Sequence, residues 1–371
     1  MNHKAIFPLL FILCFFNNCT SDKADNDILD YSTISLSSME MEFSITESES
    51  YLPAQLTRVM VNEEGYILVT QRAPKSIHQF DSLGNYMAQI ARPGRGPGEL
   101  SQYANPHFRG NILFMSNNNG MITEYRQNDL NLFEHHTDHN YRLPGPLSGV
   151  RSPNGFQEFY VSEDSVDYPF TVIPPEFTTD LIHLVKVTDD SLQIQEQVLS
   201  IQKHSYYLEL TNNGNTMSHY FLPYRYSDYL NVLPGEKTLV LRPSSSAIEI
   251  YDKEFNLEHK VVLNIKERKV TEKDMEYHFP ENTSSEKRDR RSLIKDVKPP
   301  FTRVLMDNKD RFWLFTDETE AGKEYVILNY SGQAIGRILF PSHLLLNTIR
   351  DDRIYLINRE NPSVDVYSIK V

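Results

Sequence analysis

LTRVMVNEEGYILV (56–69) and FTRVLMDNKDRFWLF (301–315) are two copies of one pattern, far apart in the chain. Each carries Thr-Arg-Val near its start, alternates apolar and polar residues, passes a polar turn and ends in a second apolar run. Alternation with a period of two is typical of β-strands, and the turn predicts a hairpin. Because the unit recurs, the pattern indicates a repeat fold.

The second half of this unit recurs, and several copies are spaced roughly 42–45 residues apart. The six copies are GYILV (65–69), NILFM (111–115), FQEFYV (156–161), KTLVL (237–241), RFWLF (311–315) and RIYLI (353–357). Further hairpins follow several of them, as in SIHQFDSLGNYMAQI (76–90), where Asp and Gly suit a tight turn. The sequence therefore predicts an all-β fold, a six-bladed β-propeller of four-stranded antiparallel blades.

The two ends of the predicted ring complement each other. PSVDVYSIKV (362–371) supplies a third strand to the last blade but no fourth, and YSTISLSSMEMEFSI (31–45) is strand-like material before the first blade. We expect 31–45 to provide the missing outer strand, because closure removes an open sheet edge. The alternative is a loose N-terminal tether.

One stretch, 266–300, departs from the β pattern and carries dense charge of both signs. TEKDMEYHF (271–279) begins with a helix-capping threonine, and SSEKRDRRSLIKDV (284–297) also has a helical pattern. We predict a short helical insertion between the fourth and fifth blades. At the channel mouth it would form a lid or partner surface; the alternative is a solvated decoration.

The first nineteen residues are distinct from the rest. Lys4 precedes an apolar run of about twelve residues, too short to span a bilayer but suited to a signal peptide, and Cys19 follows it. This resembles a bacterial lipoprotein signal. We therefore expect a signal peptide at 1–18, lipidation at Cys19, a lipidated linker at 19–30 and the propeller at 31–371. The resemblance implies a cell-envelope protein anchored by lipid to the outer membrane, periplasmic or surface-exposed; plain secretion is the alternative.

Composition limits the classes of partner and chemistry. The net charge of −13 argues against nucleic acid, and it leaves the lipid anchor as the expected contact with membrane. Both cysteines, Cys14 and Cys19, precede the predicted propeller, so it has neither a disulfide nor a thiol nucleophile. Neither a G-x-S-x-G nor an H-E-x-x-H motif occurs. We predict no cofactor.

The loop GRGPGE (94–99) lies between the outer strand of the first blade and the inner strand of the second. A phosphate-binding loop would need a helix after it and different spacing, so the glycines and prolines indicate a tight connector. The motif resembles a signature of six-bladed propeller lipoproteins of Bacteroidota, which are related in architecture to NHL-repeat propellers. This resemblance implies the fold and the envelope location, and little about activity.

The predicted ligand site lies where outer-to-inner connectors emerge on one face of the ring. Loop 91–100, connector 203–219 and insertion 266–300 would share that rim. Basic residues in or near inner strands form a candidate anion-binding cluster: Arg58, Arg303, Arg151, Arg225, His107 and Arg109. Arginine suits bidentate binding of carboxylate or phosphate. The alternative is that each arginine pairs with a carboxylate such as Asp228 or Glu99 and joins blades.

The segment HHTDH (135–139) contains potential metal ligands. In a regular strand only His136 and Asp138 would share a face, so we expect a polar turn and no metal site. The leading hypothesis is a non-enzymatic lipoprotein that binds a small molecule, glycan or protein at the connector-rich face. The alternative is a propeller enzyme, a lactonase-like hydrolase or a lyase, with a metal or arginine cluster at the channel mouth. A scaffold within an envelope complex is a third possibility.

Overall fold

The computed structural model describes residues 27–30, 32–100, 104–109, 111–117, 121–140, 160–161, 166–167, 170–172, 181–187, 194–202, 207–210, 217–220, 222–233, 237–252 and 254–370. These residues form an all-β propeller with four-stranded antiparallel blades and two α-helices. In this described part of the chain, neither helix has the length and apolar character needed to cross a membrane.

Five complete blades are described, and we number them in chain order. Within each blade, successive strands pair as antiparallel neighbours, from the inner strand outward. Blade 1 contains Leu56–Val61, Ile67–Arg72, Lys75–Phe80 and Tyr86–Ala91; blade 2 contains Ala104–Arg109, Ile112–Asn117, Met121–Gln127 and Phe133–Asn140; blade 3 contains Tyr229–Leu233, Lys237–Arg242, Ala247–Tyr251 and Leu257–Val262; blade 4 contains Arg303–Met306, Phe312–Thr319, Gly322–Leu328 and Ala334–Phe340.

Blade 5 closes the ring with both ends of the chain. Leu344–Arg350, Arg353–Asn358 and Ser363–Ser368 form its first three strands, and Glu40–Ile45 pairs antiparallel with Ser363–Ser368 as the fourth. The predicted closure is confirmed for residues 40–45. The start of the predicted segment behaves differently, because Thr33–Ser35 adds a fifth, parallel strand to blade 4.

The repeated signature forms the second strand of each complete blade. Five of the six copies fall in the strands that begin at Ile67, Ile112, Lys237, Phe312 and Arg353. In four of these strands most of the described side chains are buried, which matches their apolar central residues. The sixth copy, 156–161, lies outside the described residues except for Tyr160–Val161. The structure therefore confirms the propeller, while the count of six blades is not confirmed.

Between blades 2 and 3 the described strands form smaller sheets. Phe170–Val172, Leu181–Val187 and Ile194–Gln202 make a three-stranded antiparallel sheet. Two short pairs also occur: Tyr160–Val161 with Val166–Asp167, and Tyr207–Leu210 with Met217–Tyr220. The segment 203–219, predicted to be a connector, contains most of the second of these pairs.

Apolar side chains between neighbouring blades form the core. Phe301, Leu239 and Val326 belong to one cluster that joins blades 3 and 4, and Leu346 and Ile354 join blade 5 to blade 4. The inner strands of blades 3 and 4, 4 and 5, and 5 and 1 approach one another, as expected around a central axis. Trp313 is fully buried, and its Nε1 donates to Asp307 Oδ2 at 2.9 Å, so it serves the core as predicted.

The insertion forms the two predicted helices, Glu272–His278 (α1) and Ser284–Ser292 (α2). Both begin with a capping box, in which the side chains of Thr271 and Thr283 accept from the backbone N–H three residues later. The insertion packs onto the propeller through Met275 and Phe279, which cluster with Leu222 and Tyr224. The insertion is therefore folded and packs against the segment that leads into blade 3.

Candidate functional site

A cavity of about 310 Å³ lies beside α1, on the face where inner strands begin, which we call the connector face. Three parts of the chain surround it: segment 222–227, which leads into blade 3; the insertion; and the start of blade 4. The lining of this connector-face cavity mixes aromatic and polar side chains, among them Tyr224, His278, Phe315, Asp317 and Glu318. Such a mixture is typical of small-molecule sites.

A buried ion network joins the insertion to blade 4 beneath the cavity. Lys298 Nζ lies 2.7 Å from Asp274 Oδ1 and 2.9 Å from Asp317 Oδ2. Arg268 lies 3.4 Å from Asp317 and 3.3 Å from Glu324, and it donates to the Thr316 carbonyl at 2.6 Å. These contacts fix the carboxylate of Asp317 against the cavity wall.

The protonation of this network follows from its hydrogen bonds. Burial opposes ionisation of Asp274, but hydrogen bonds from Lys298 and Thr271 outweigh it and hold the pKa of this carboxyl below its usual value. Burial also opposes ionisation of Glu324, and its hydrogen bonds with Thr316 and Arg337 likewise lower its pKa. Both groups are therefore carboxylates at neutral pH.

His278 and Tyr224 form a hydrogen-bonded pair on the wall. Tyr224 Oη donates to Asp274 Oδ1 at 3.1 Å and lies 3.1 Å from His278 Nε2. Burial lowers the pKa of His278, so the imidazole is neutral at pH 7. Because the hydroxyl proton of Tyr224 points to Asp274, Nε2 carries the imidazole proton and Nδ1 is an acceptor. Nδ1 has no hydrogen bond to the described residues.

Glu318 lines another part of the cavity wall. Tyr277 Oη donates to Glu318 Oε1 at 3.0 Å, and Lys323 Nζ lies 3.7 Å from the same oxygen. Burial lowers the pKa of Lys323, partly offset by Glu318. The described part of the cavity wall thus offers acceptors at Glu318 and His278 as well as the cation Arg225.

The predicted basic residues lie in several places. Arg225 lines the connector-face cavity. Arg58 donates to the Pro106 carbonyl of blade 2 at 2.8 Å, so it joins two blades through a backbone carbonyl and not through the carboxylate of the alternative prediction. Arg303 donates to Tyr325 Oη at 2.9 Å, and its Nε is buried without a hydrogen bond to the described residues.

The structure describes the remaining three predicted residues only in part. Arg151 lies outside the described residues. His107 and Arg109 are in the inner strand of blade 2, where Arg109 is the last residue and pairs with Ile112. Arg58 lies in the first half of its strand instead. Because a strand rises about 3.3 Å per residue, Arg58 and Arg109 lie at different heights along the axis of the ring. The two named carboxylates have other partners, since Asp228 binds Arg242 and Glu99 binds Arg92.

The loop GRGPGE folds around its own glutamate. Glu99 accepts from Gly96 N at 2.8 Å and from Arg92 Nε at 3.0 Å. A Cβ at Gly94 would lie 1.9 Å from Glu99 Oε2, so the carboxylate occupies the space that any other side chain would need. The predicted connector function is consistent with this geometry.

The HHTDH segment lies in the outer strand of blade 2, where a bulge between His135 and Thr137 shifts the register. The bulge brings His135 Nε2 to 3.2 Å from Asp138 Oδ2. The predicted alignment of His136 with Asp138, and the predicted turn, were therefore wrong, because regular alternation is interrupted. Among the described residues, no group of three His, Cys, Asp or Glu side chains is arranged to hold a metal ion.

Sequence reasoning missed Tyr224, His278, Asp317 and Glu318. One of them, His278, lay in a stretch already singled out, 271–279, which was interpreted as a helix. The only sequence signal for these residues was that connectors were expected to meet at one face of the ring.

Comparisons with known proteins support the fold. No protein-family model and no curated protein matches the sequence. A solved structure of a putative exported protein from Bacteroides fragilis is similar, with a TM-score of 0.54 and 12% identity over 92% of this chain and 98% of that one. A member of the DUF4221 family from Bacteroides vulgatus has a TM-score of 0.49 and 13% identity over 90% and 97% of the two chains. At these identities the similarity concerns the fold alone.

Proposed function

We propose that this chain is a cell-envelope lipoprotein whose propeller binds a small molecule, glycan or protein partner at the connector face. The observation that carries the proposal is the connector-face cavity, whose wall combines aromatic rings with a neutral imidazole, a carboxylate and Arg225. The rigid blades hold this wall, and the insertion contributes one side. Recognition by connectors on a rigid scaffold is a common division of labour in such folds.

A cavity-filling substitution tests the binding site. Thr302 lines the cavity, so Thr302→Trp should fill it and abolish binding of the ligands that stabilise the wild-type protein in a thermal-shift screen of envelope metabolites and glycans. Ser285→Trp adds the same indole to the exposed surface of α2 and is the matched control. If the Thr302 variant folds and binds as the wild type does, this site is not the ligand site.

We also propose lipid anchoring at Cys19, supported by the apolar run and cysteine in the sequence and by the exported character of the Bacteroides fragilis protein. The chain offers its own control, because Cys14→Ala should leave labelling by a palmitate analogue unchanged while Cys19→Ala abolishes it. Labelling that survives Cys19→Ala would contradict the proposal. In the labelled cells, the Cys19 variant should also leave the membrane fraction.

We propose that the three-stranded sheet is a further blade between blades 2 and 3, which would give six and place the insertion between the fourth and fifth. Its last strand packs against blade 3, where Leu199 and Ile201 contact Val240. Gln202 and Asp228 exchange hydrogen bonds at 2.7 and 2.9 Å across the same boundary. An experimental structure with five sheets around the axis would refute this count.

A further inference from the structure

A second, larger cavity of about 640 Å³ lies at the opposite face of the ring, where the inner strands end in hairpins. Residues that end inner strands line it: Val61 of blade 1, Leu233 of blade 3, Met306 of blade 4 and Arg350 of blade 5. Because these strands surround the axis, this hairpin-face cavity lies at the centre of the ring on that face.

Arg350, which lines this cavity, has a hydrogen-bond donor without an acceptor among the described residues. Its side chain is 20% exposed, and its Nε is buried without a hydrogen-bond partner among the described residues. The nearest described carboxylate is that of Asp351, whose Oδ2 lies 3.7 Å from Nε, beyond hydrogen-bond distance. A largely buried guanidinium with unpaired donors is costly unless a partner satisfies it.

Two of the charged groups in the described lining, Asp307 and Lys237, are already engaged. Asp307 Oδ2 accepts from Arg311 Nε at 2.7 Å and from Trp313 Nε1 at 2.9 Å. Lys237 Nζ lies 2.6 Å from Glu258. Asp307 is therefore not available to pair with Arg350 without breaking an existing contact, and Lys237, a cation, cannot neutralise it.

The rest of the lining indicates the shape and charge of a ligand. Leu233, Met306 and Ile349 give an apolar surface, and Tyr330 is partly exposed while its ring stacks on His259 with centroids 4.0 Å apart. Exposed Glu63 and Asp310 also line the cavity, and their negative charge opposes binding of a multiply charged anion.

We propose that the hairpin-face cavity binds a monoanionic carboxylate carried on an apolar or aromatic body. The carboxylate would accept hydrogen bonds from the guanidinium of Arg350, which matches it in fork geometry, and the body would lie on the apolar surface beside Tyr330. This site is separate from the proposed connector-face site and does not depend on it. Arg109 ends the inner strand of blade 2 as Arg350 ends that of blade 5, so its backbone lies at the same end of the channel.

Calorimetry on the purified full-length chain tests the proposal with three probes: 3-phenylpropanoate, its neutral amide and inorganic phosphate. We expect the carboxylate to bind more tightly than the other two. Arg350→Gln should weaken its binding about tenfold or more, and Arg350→Lys should lose less, because a charge remains. Arg359→Gln removes the same charge at an exposed position outside this cavity and should leave binding unchanged.

A stability measurement separates a ligand-binding arginine from a structural one. Because Arg350 has unpaired donors, Arg350→Gln should not lower the melting temperature, whereas loss of a structural arginine would. Three results would overturn the proposal: no binding of 3-phenylpropanoate at millimolar concentration, equal binding to the wild type and the Arg350→Gln variant, or tighter binding of phosphate than of the carboxylate. If Arg350→Gln fails to fold, the arginine is structural and the proposal is also wrong.

Discussion

Replacing Lys298 by methionine should destabilise the protein strongly. Lys298 is 8% exposed and is the ammonium partner of two carboxylates, Asp274 at 2.7 Å and Asp317 at 2.9 Å. Methionine keeps a similar length and removes the charge. As an ion pair, Asp317 would retain only the longer contact with Arg268, at 3.4 Å, besides the hydrogen bond from Glu318 N, and Asp274 would lose its ion pair while remaining buried.

The size of the effect follows from the uncompensated charge. Removing one partner of a buried ion pair costs about 3–5 kcal/mol, because the other charge stays desolvated. An unfolding entropy of about 2.1 cal/mol/K per residue, taken over 371 residues, amounts to about 0.8 kcal/mol/K. The melting temperature should therefore fall by about 4–6 °C at neutral pH if unfolding is cooperative.

The loss of stability caused by Lys298→Met should be smaller at acid pH. In the wild type, the pKa of Asp274 is depressed despite burial, so its ionised form contributes stability at neutral pH that is lost as the pH falls through the folded-state pKa. Without Lys298, the carboxyl loses a hydrogen bond and a positive charge that both lower its pKa, so we expect this pKa to be higher than in the wild type. Protonation on acidification then removes the buried charge, and the variant approaches the wild type near pH 4, roughly the ordinary pKa of Asp.

Chemical denaturation at pH 7 and near pH 4 measures both effects. Lys273→Met is the control, because Lys273 is exposed on α1 of the same insertion and should change stability by less than about 0.5 kcal/mol. A loss below about 1 kcal/mol for Lys298→Met at pH 7, or a loss that grows in acid, would refute the reasoning that this network anchors the insertion.

Three further perturbations address the signature loop, the ring closure and the site. Gly94→Ala should force the GRGPGE loop to rearrange and raise its hydrogen-exchange rate. Gly96→Ala is the control and should have a smaller effect, because its Cβ would lie 3.2 Å from Glu99. Equal effects of the two substitutions would contradict the packing argument. Ile45→Ala should lower the unfolding free energy by about 2–5 kcal/mol, because Ile45 is 2% exposed within the closing strand, and exposed Met41→Ala is its control in denaturation. NMR titration should place the pKa of His278 below about 6.5; a value above it would argue against the buried neutral imidazole.

The sequence was a good guide wherever local pattern determines structure. The strand that begins at Phe312 could be predicted because its apolar run is bounded by a polar turn and buried on both faces. The capping boxes at Thr271 and Thr283 likewise place the helix starts, since both partners of each box lie within four residues. Residues 40–45 were predictable from a count of strands in the last blade.

The site was harder to predict because its residues come from different connectors. Tyr224 and Asp274 are 50 positions apart, and only the docking of the insertion brings them into contact. The bulge at His135 also has no signature in the local alternation, so the wrong pair of side chains was expected to align. Arg350 was overlooked because an arginine at a strand end is ordinary; its lack of a partner is a property of the assembled channel.

The two cavities differ in how their charges are paired, and this predicts different modes of recognition. At the connector face, Lys298 and Arg268 together balance Asp274 and Asp317, so selectivity there depends on cavity shape and on acceptors such as His278 Nδ1. At the hairpin face, the carboxylate of Asp351 lies 3.7 Å from Arg350 Nε, which has no hydrogen bond to the described residues, so a ligand carboxylate would supply the missing acceptor. Raised salt should therefore weaken carboxylate binding at the hairpin face more than binding of a neutral ligand at the connector face, because screening acts on the attraction between the two charges.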